Sequence, residues 1–477
     1  MTSIKKRFKI KKDEFLKREV AIMEDREEIF EKLNSLLLDK KYADFMHAID
    51  ELNEIDAAEY LMSLPDEAML SAFRMLKKDT AAGIFSFMEI DMQESIIDRM
   101  SDTEIAMIIE DLFVDDAVDI LEELPAIMVK RILKLSRPET RNLINKFLSY
   151  PEDSAGSVMT AEFIDLHKEM TVAQAIANIR KKGVDKETVY VAYVTNESRV
   201  LEGIVSLKDL IFAEPDALIG DIMETDILCA NTLDHQEEVV SMIQKYDMLA
   251  LPIVDKENRL VGIVTVDDAI DVIEEEATED IEKMAAIVPS DKPYMRASVF
   301  EIWKTRIPWL LLLMLSATFT GQIIASFESK LAAIPVLIAF IPMLMGTGGN
   351  SGGQSSVTII RGLAVGEIEN SDIWKIVWKE TRVAFFCGII LSVCNFIKII
   401  LVDNLIFHNE VSIMANLVVS LTLIATVIVA KIVGCALPVA AKKIGLDPAV
   451  MASPFITTIV DAVSLLIYFA IASAILL

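Results

Sequence analysis

Apolar residues recur along the first third of the chain at a spacing longer than one helix turn. Leu64, Leu76, Met88, Met100, Leu112 and Leu124 fall every 12 residues, and Leu61, Phe73, Phe85, Ile97, Ile109, Leu121 and Leu133 form a second column three positions earlier. Residues three apart share a helix face, and a fixed longer period marks a stack of short helices. Pro65 and Pro125 follow their leucines, where proline opens the next helix. The pattern predicts an all-α superhelical domain over 1–150, with these columns as its core.

From residue 155 the pattern changes. Short β-rich runs such as VYVAYV and ALPIVD alternate with amphipathic helical stretches. The segment is also duplicated: SVMTAEFIDLHKEMTVAQAI (157–176) matches DIMETDILCANTLDHQEEVV (221–240), and LEGIVSLKDL (201–210) matches LVGIVTVDDA (260–269). With G-I-V-[ST]-x-x-D endings at Gly203 to Asp209 and Gly262 to Asp268, it resembles an α/β tandem CBS pair, one motif over 151–213 and the next over 214–275. In that family the Ser/Thr and Asp can hold an adenosine ribose. The resemblance places such a site at Ser206 with Asp209, or at Thr265 with Asp268. Many CBS pairs bind no nucleotide, so ATP stays an open alternative.

A long helical pattern then runs from Asp267 to about Ile287, with Ile270, Ile273, Ala277, Ile281, Met284 and Val288 on one stripe. The other face carries Asp267, Asp268, Asp271, Glu274, Glu275, Glu276, Glu279 and Asp280, and Lys283 is its first base. Carboxylates this dense on one helix repel one another. Full hydration or bound cations make such a face tolerable. An acidic connecting helix is expected over 276–304.

Five apolar stretches follow, at 306–326, 331–346, 384–402, 413–440 and 449–475, and predict a helical membrane domain of five spans over 305–477. The loops at 361–382 and 441–447 hold Arg361, Lys375, Lys379, Arg382, Lys442 and Lys443, whereas the opposite loops hold only Lys330. The positive-inside rule then puts the N-terminus in the cytoplasm and the C-terminus outside a bacterial-type plasma membrane. The start of the chain, MTSIKKRFKIKK, is basic without the apolar run of a signal peptide, which agrees.

Charge sharpens this division. Residues 1–300 carry 63 acidic against 35 basic side chains, and residues 301–477 carry 10 against 11. An acidic half joined to a nearly neutral apolar half implies water for one and lipid for the other. The acidity excludes nucleic acid as a partner, because phosphate would be repelled, and favours cations. Cys229, Cys387, Cys394 and Cys435 form no metal-ligand spacing, and no disulfide frame is expected. His47, His167, His235 and His408 have no nucleophile or paired carboxylate at useful spacing, so an enzyme is not expected. GGNSGG precedes no P-loop lysine.

Two constellations carry chemistry. Asp461 lies near the middle of the last stretch with no base in that helix. A carboxylate at bilayer depth is costly and faces protein interior or water, which points to a cation site in a pore. Thr457 is four residues away and shares its face, and Pro454 frees the carbonyl of residue 450. The second constellation is PMLMGTGGNSGGQSS (342–356), with five glycines in eight positions. It predicts irregular backbone lining a cavity, with close helix packing as the alternative. Asn350 and Gln354 favour a pore or a polar interface.

RIPWLLL (306–312), GTGGNSGGQ (346–354) and LDPAVMASPFITTIVD (446–461) resemble the membrane signature of MgtE-type magnesium channels, and the order of domains matches over essentially the whole chain. The resemblance implies a homodimer with its pore at the subunit interface, lined by the second and fifth spans. Asp461 then matches the selectivity carboxylate, with Gly349, Asn350 and Thr457 around a hydrated ion. For a regulatory magnesium sensor it implies Glu237, Asp247, Asp268, Asp271, Glu276, Glu279 and Asp280, with Asp447 facing the acidic helix. Asp111, Asp115 and Asp116 are its N-domain candidates. Gly353, Ser464 and His235 depart from the family, where Asn, Gly and an acid are common.

The expected function is a magnesium channel closed by cytoplasmic magnesium. Two rivals remain: a secondary magnesium carrier, which would usually show two matching halves, and a CBS-bearing membrane receptor without transport. An unpaired Asp461 argues against the receptor.

Overall fold

The period of 12 reappears in the helix starts: α1 (Tyr42–Asp50), α2 (Glu54–Met62), α3 (Asp66–Phe73), α4 (Lys78–Ser86), α5 (Ile90–Arg99), α6 (Asp102–Ile109), α7 (Val114–Glu123), α8 (Ala126–Leu135) and α9 (Pro138–Phe147). The computed structural model describes residues 26, 28–290, 294–295, 297–327, 334–409, 411–451 and 453–476. The basic run 1–12, Lys330 and residues 331–333 of the expected second span lie outside the described residues. The chain forms two compact units, Met1–Val272 and Ile273–Leu477.

Local chemistry sets the short helices. Ser101 and Glu104 form a reciprocal capping box at the start of α6, and the Asn53 side chain accepts from Ile55 N–H before α2. Pro65 and Pro125 take the N-cap positions before α3 and α8. Leu61, Phe73, Phe85, Ile97, Ile109 and Leu121 are each at most 2 % exposed. Burying one such side chain stabilises by roughly 1.5–3 kcal/mol, so the repeated column dominates the core of this domain.

The duplicated segment folds as two three-stranded sheets of identical topology. In the first, β1 (Ile164–Leu166) runs parallel to β2 (Val191–Thr195), which pairs antiparallel with β3 (Leu201–Ser206). Helix α10 (Val172–Lys182) links β1 to β2, and α11 (Leu207–Phe212) and α12 (Ile219–Ile222) follow β3. The second sheet repeats this with β4 (Ala230–Asn231), β5 (Ala250–Val254) and β6 (Leu260–Thr265), and α13 (Gln236–Tyr246) as the crossover. The motif glycines have a reciprocal packing reason. A Cβ on Gly203 would strike Met223 of the second copy, and one on Gly262 would strike Met159 of the first.

Helix α14 (Val266–Met284) leaves the second sheet, and the next helix, α15, begins only at Val299 (Val299–Ser326), so 276–304 is divided between two helices. The membrane unit continues with α16 (Ile341–Ala364), α17 (Ile373–Lys398), α18 (Ile413–Lys443) and α19 (Ser453–Ile475). Among the described residues, four stretches are long and apolar enough to cross a membrane: Val299–Ser326, Ile373–Asn404, Ile413–Lys443 and Ala449–Ile475. Helix α16 is long but rich in glycine and serine, and is not one of the four.

The glycine run overturns one expectation. Residues 341–364 form a continuous α-helix rather than irregular backbone. Glycine costs about 1 kcal/mol against alanine within a helix, so neighbours must compensate. A Cβ on Gly348 would meet Thr426, Val460 and Ser464, one on Gly349 would meet Thr457, and one on Gly352 would meet Ile456. The missing side chains let α18 and α19 close onto α16, which is the close-packing alternative.

Candidate cation sites

The soluble unit gathers carboxylates from segments far apart in sequence. Asp115 and Asp116 open α7, Glu162 precedes β1, Glu187 precedes β2, and Asp268 lies in the first turn of α14. Burial, then the charges of Asp116, Asp268, Glu162 and Glu187, push the Asp115 carboxyl well above the usual range. Burial, with Asp268, Glu162 and Glu54, lifts Asp116 to about 6. Burial, with Asp268, Asp267, Asp116 and Glu162, lifts Glu187 to about 7. Asp268 is also raised, by burial first, although Thr265 Oγ1 donates to its Oδ2 at 2.5 Å and opposes the shift. The Asp115 Oδ1 and Asp111 Oδ2 atoms are buried without a hydrogen-bond partner among the described residues. Asp111 itself is held by Lys78.

These groups repel when ionised, and acceptor-only oxygens in such a place suit a hard cation. Among the described residues, no three His, Cys, Asp or Glu side chains converge closely enough to hold a metal as they stand. A cation would therefore have to draw them together.

The other sensor candidates are more scattered. Glu237 begins α13 and Asp247 caps its far end in a left-handed conformation, so a whole helix separates them. His235 Nδ1 accepts from Glu237 N–H at 3.3 Å. Asp271, Glu276, Glu279 and Asp280 lie along α14. Lys283 bridges Glu279 and Asp447, at 2.7 Å to each. Burial works against its charge, yet the bonds to Asp447 and Glu279 prevail and its pKa rises.

The nucleotide candidates are engaged locally. Ser206 and Asp209 form a reciprocal capping box for α11, with Ser206 Oγ donating to Asp209 Oδ2 at 2.5 Å. Thr265 N–H and Oγ1 both donate to Asp268 Oδ2, at 3.3 and 2.5 Å. A cleft of about 430 Å³ opens elsewhere on the pair, lined by Phe163, Asp165, His167, Lys186, Thr195 and Arg199 among others, without Ser206 or Thr265.

In the membrane unit, Asp461 is half-buried on α19 and makes no hydrogen bond or ion pair among the described residues. The Thr457 and Thr458 hydroxyls both donate back to the Pro454 carbonyl, at 2.9 and 3.0 Å. Gly349 is buried against Thr457, whereas Asn350 is exposed. Gly349 and Thr457 thus belong to the contact between α16 and α19, and Asp461 lies one turn beyond Thr457 on α19.

Sequence reasoning missed Glu162, Glu187 and Glu54, isolated acids without a motif. It also missed an ion pair in the membrane unit between buried Lys431 and partly buried Glu380, with Nζ to Oε2 at 3.6 Å.

A CBS pair joined in one chain to a bundle of apolar helices that carries Asp461, unpaired among the described residues, is the architecture of a membrane transport protein for cations. Residues 341–471 match the family described as divalent cation transporter, residues 52–153 the MgtE intracellular N domain, and residues 155–216 and 219–275 the CBS domain. The chain is 34% identical over 452 residues to magnesium transporter MgtE of Bacillus subtilis, covering 94% of this chain and 97% of that protein. It is 35% identical over 432 residues to magnesium transporter MgtE of Thermus thermophilus, covering 90% and 94%. A crystal structure of the soluble part of a magnesium transporter superposes with a TM-score of 0.51 at 31% identity, over 53% of this chain and 99% of that one. The chain belongs to the MgtE family of divalent cation transporters. Membership sets it among transporters rather than enzymes.

Proposed function

We propose that the protein is a homodimeric channel that conducts magnesium into the cytoplasm and is closed by cytoplasmic magnesium. The observation that carries this reading is Asp461, a membrane-unit carboxylate with no protein partner among the described residues. An uncompensated charge at that depth is expensive, and a passing hydrated cation supplies the compensation. Gly349, Asn350 and Thr457 surround the ion's water shell, which magnesium sheds reluctantly. The pore lies between two copies, lined by α16 and α19. On this reading α16 with the residues before it makes a fifth span, the N-terminus is cytoplasmic and the C-terminus is outside.

Gating follows from the acidic groups. At low magnesium the carboxylates around Asp115, Asp116 and Asp268 repel, and the helical N domain, a superhelix on this reading, separates from the CBS pair. At high magnesium, ions bridge them, together with Glu237, Asp247, Asp271, Glu276, Glu279, Asp280 and Asp447, and the connecting helix holds the pore shut. The ion must bind the closed state more tightly than the open one. ATP enters only as a ligand of the CBS pair, at Ser206, Asp209 and Thr265, where the capping bonds would have to open.

Reconstituted protein should fill liposomes with magnesium, read by an internal magnesium dye, and should show discrete single-channel currents. Uptake without such currents would favour a carrier, and absence of uptake would refute transport. Protease cleavage of the soluble half should slow across millimolar magnesium; unchanged cleavage would contradict the gating.

A further inference from the structure

Helix α16 is held on its inner half by a second device, and it is built from charge. Ser355 lies one turn after Gly352 and is 2 % exposed. Its hydroxyl donates to Glu380 Oε2 of α17 at 2.6 Å and accepts from Lys431 Nζ of α18 at 3.1 Å. The Lys431 and Glu380 side chains are 6 % and 16 % exposed. Three helices therefore meet at one hydroxyl, between a buried cation and a partly buried carboxylate.

The surroundings make this more than a packing detail. A Cβ on Gly434, one turn beyond Lys431, would land on the Gly352 carbonyl oxygen, so α16 and α18 touch backbone to backbone beside the charges. Glycine contacts without side chains fix how near two helices come, but they interlock poorly along the axis. Directional hydrogen bonds to a buried charge resist sliding, because a shift leaves that charge without its partner in a low-dielectric interior. Farther up the same helix, Gly349 lies against Thr457. The height of that contact relative to Asp461 depends on where α16 stops.

We propose that Lys431, Ser355 and Glu380 form a positioning site, an interhelical clamp that sets the axial register of α16 and hence the geometry of the Gly349 and Thr457 contact one turn from Asp461. This rests on the reading of that contact as the magnesium pathway. The three residues touch no ion; they act through α16.

The experiment measures magnesium uptake into liposomes by the full-length protein, alongside its melting temperature in detergent. Lys431→Met alone strands the Glu380 charge and should lower both melting temperature and uptake. In the double variant Glu380→Gln with Lys431→Met, both charges are gone, but the amide oxygen still accepts from Ser355. Uptake should return to within about twofold of the parent. In Glu380→Leu with Lys431→Met the acceptor is also gone. Melting should recover as in the first double variant, while maximal uptake stays at least fivefold lower with an unchanged half-saturating concentration. Ser355→Ala should reproduce that loss. Equal uptake by the two double variants, or parental uptake by Ser355→Ala, would overturn the clamp. Absence of uptake by the parent would instead overturn the magnesium pathway beneath it.

Discussion

In the soluble unit Asp115, Asp116, Glu187 and Asp268 crowd one neighbourhood, and each is pushed toward its protonated form first by burial and then by nearby carboxylates. In the membrane unit the acids are dispersed: Glu380 is matched by Lys431, and Asp461 has no partner among the described residues. Many partly hydrated carboxylates that repel suit graded sensing, because each bound cation relieves several unfavourable pairs. One carboxylate among apolar helices suits passage, because a single site neither collects nor keeps ions. The difference teaches that the solvent around an acid, as much as the acid itself, decides what a cation does there.

The comparison can be broken from either side. The largest stability effect is expected in the membrane unit. Gly434→Ala forces a methyl onto the Gly352 carbonyl and should cost about 1–3 kcal/mol, seen as a lower melting temperature in detergent. Next is pH in the soluble unit. The folded values of about 6 for Asp116 and about 7 for Glu187 lie above their free values, so the folded unit holds more protons than the unfolded chain. Without divalent cations, resistance of this unit to proteolysis should therefore fall as pH rises from about 4 to 7, and magnesium should flatten the profile. Glu187→Gln removes one repelling charge and should raise stability near pH 8 by on the order of 1 kcal/mol while weakening the magnesium dependence. The smallest effect is at Gly346, where a Cβ would meet nothing within 4 Å. Gly346→Ala should change stability by no more than about 1 kcal/mol, in the stabilising direction. A large loss there would show that α16 is crowded along its whole length.

Much of this was legible beforehand. The period of 12 and the duplicated G-I-V motif survive in the structure because each repeats a burial requirement: a column residue for the helices, a glycine beneath a methionine for the sheets. Asp115, Asp116 and Asp268 were named from the sequence as separate candidates, and packing sets their charges near one another. Glu162 and Glu187 were not, since they are single acids whose partners lie tens of residues away. The buried Lys431 was hidden by the apolar run around it, and Glu380 by its place among the charges of 361–382. The glycine run was misread as irregular because a helix that lacks side chains looks unstable until its neighbours are known.

The most direct test is Asp461→Asn in the full-length protein, with magnesium uptake and magnesium-dependent protection of the soluble half measured on one preparation. The account predicts at least a tenfold loss of uptake with protection unchanged. Uptake at the parental rate would contradict it.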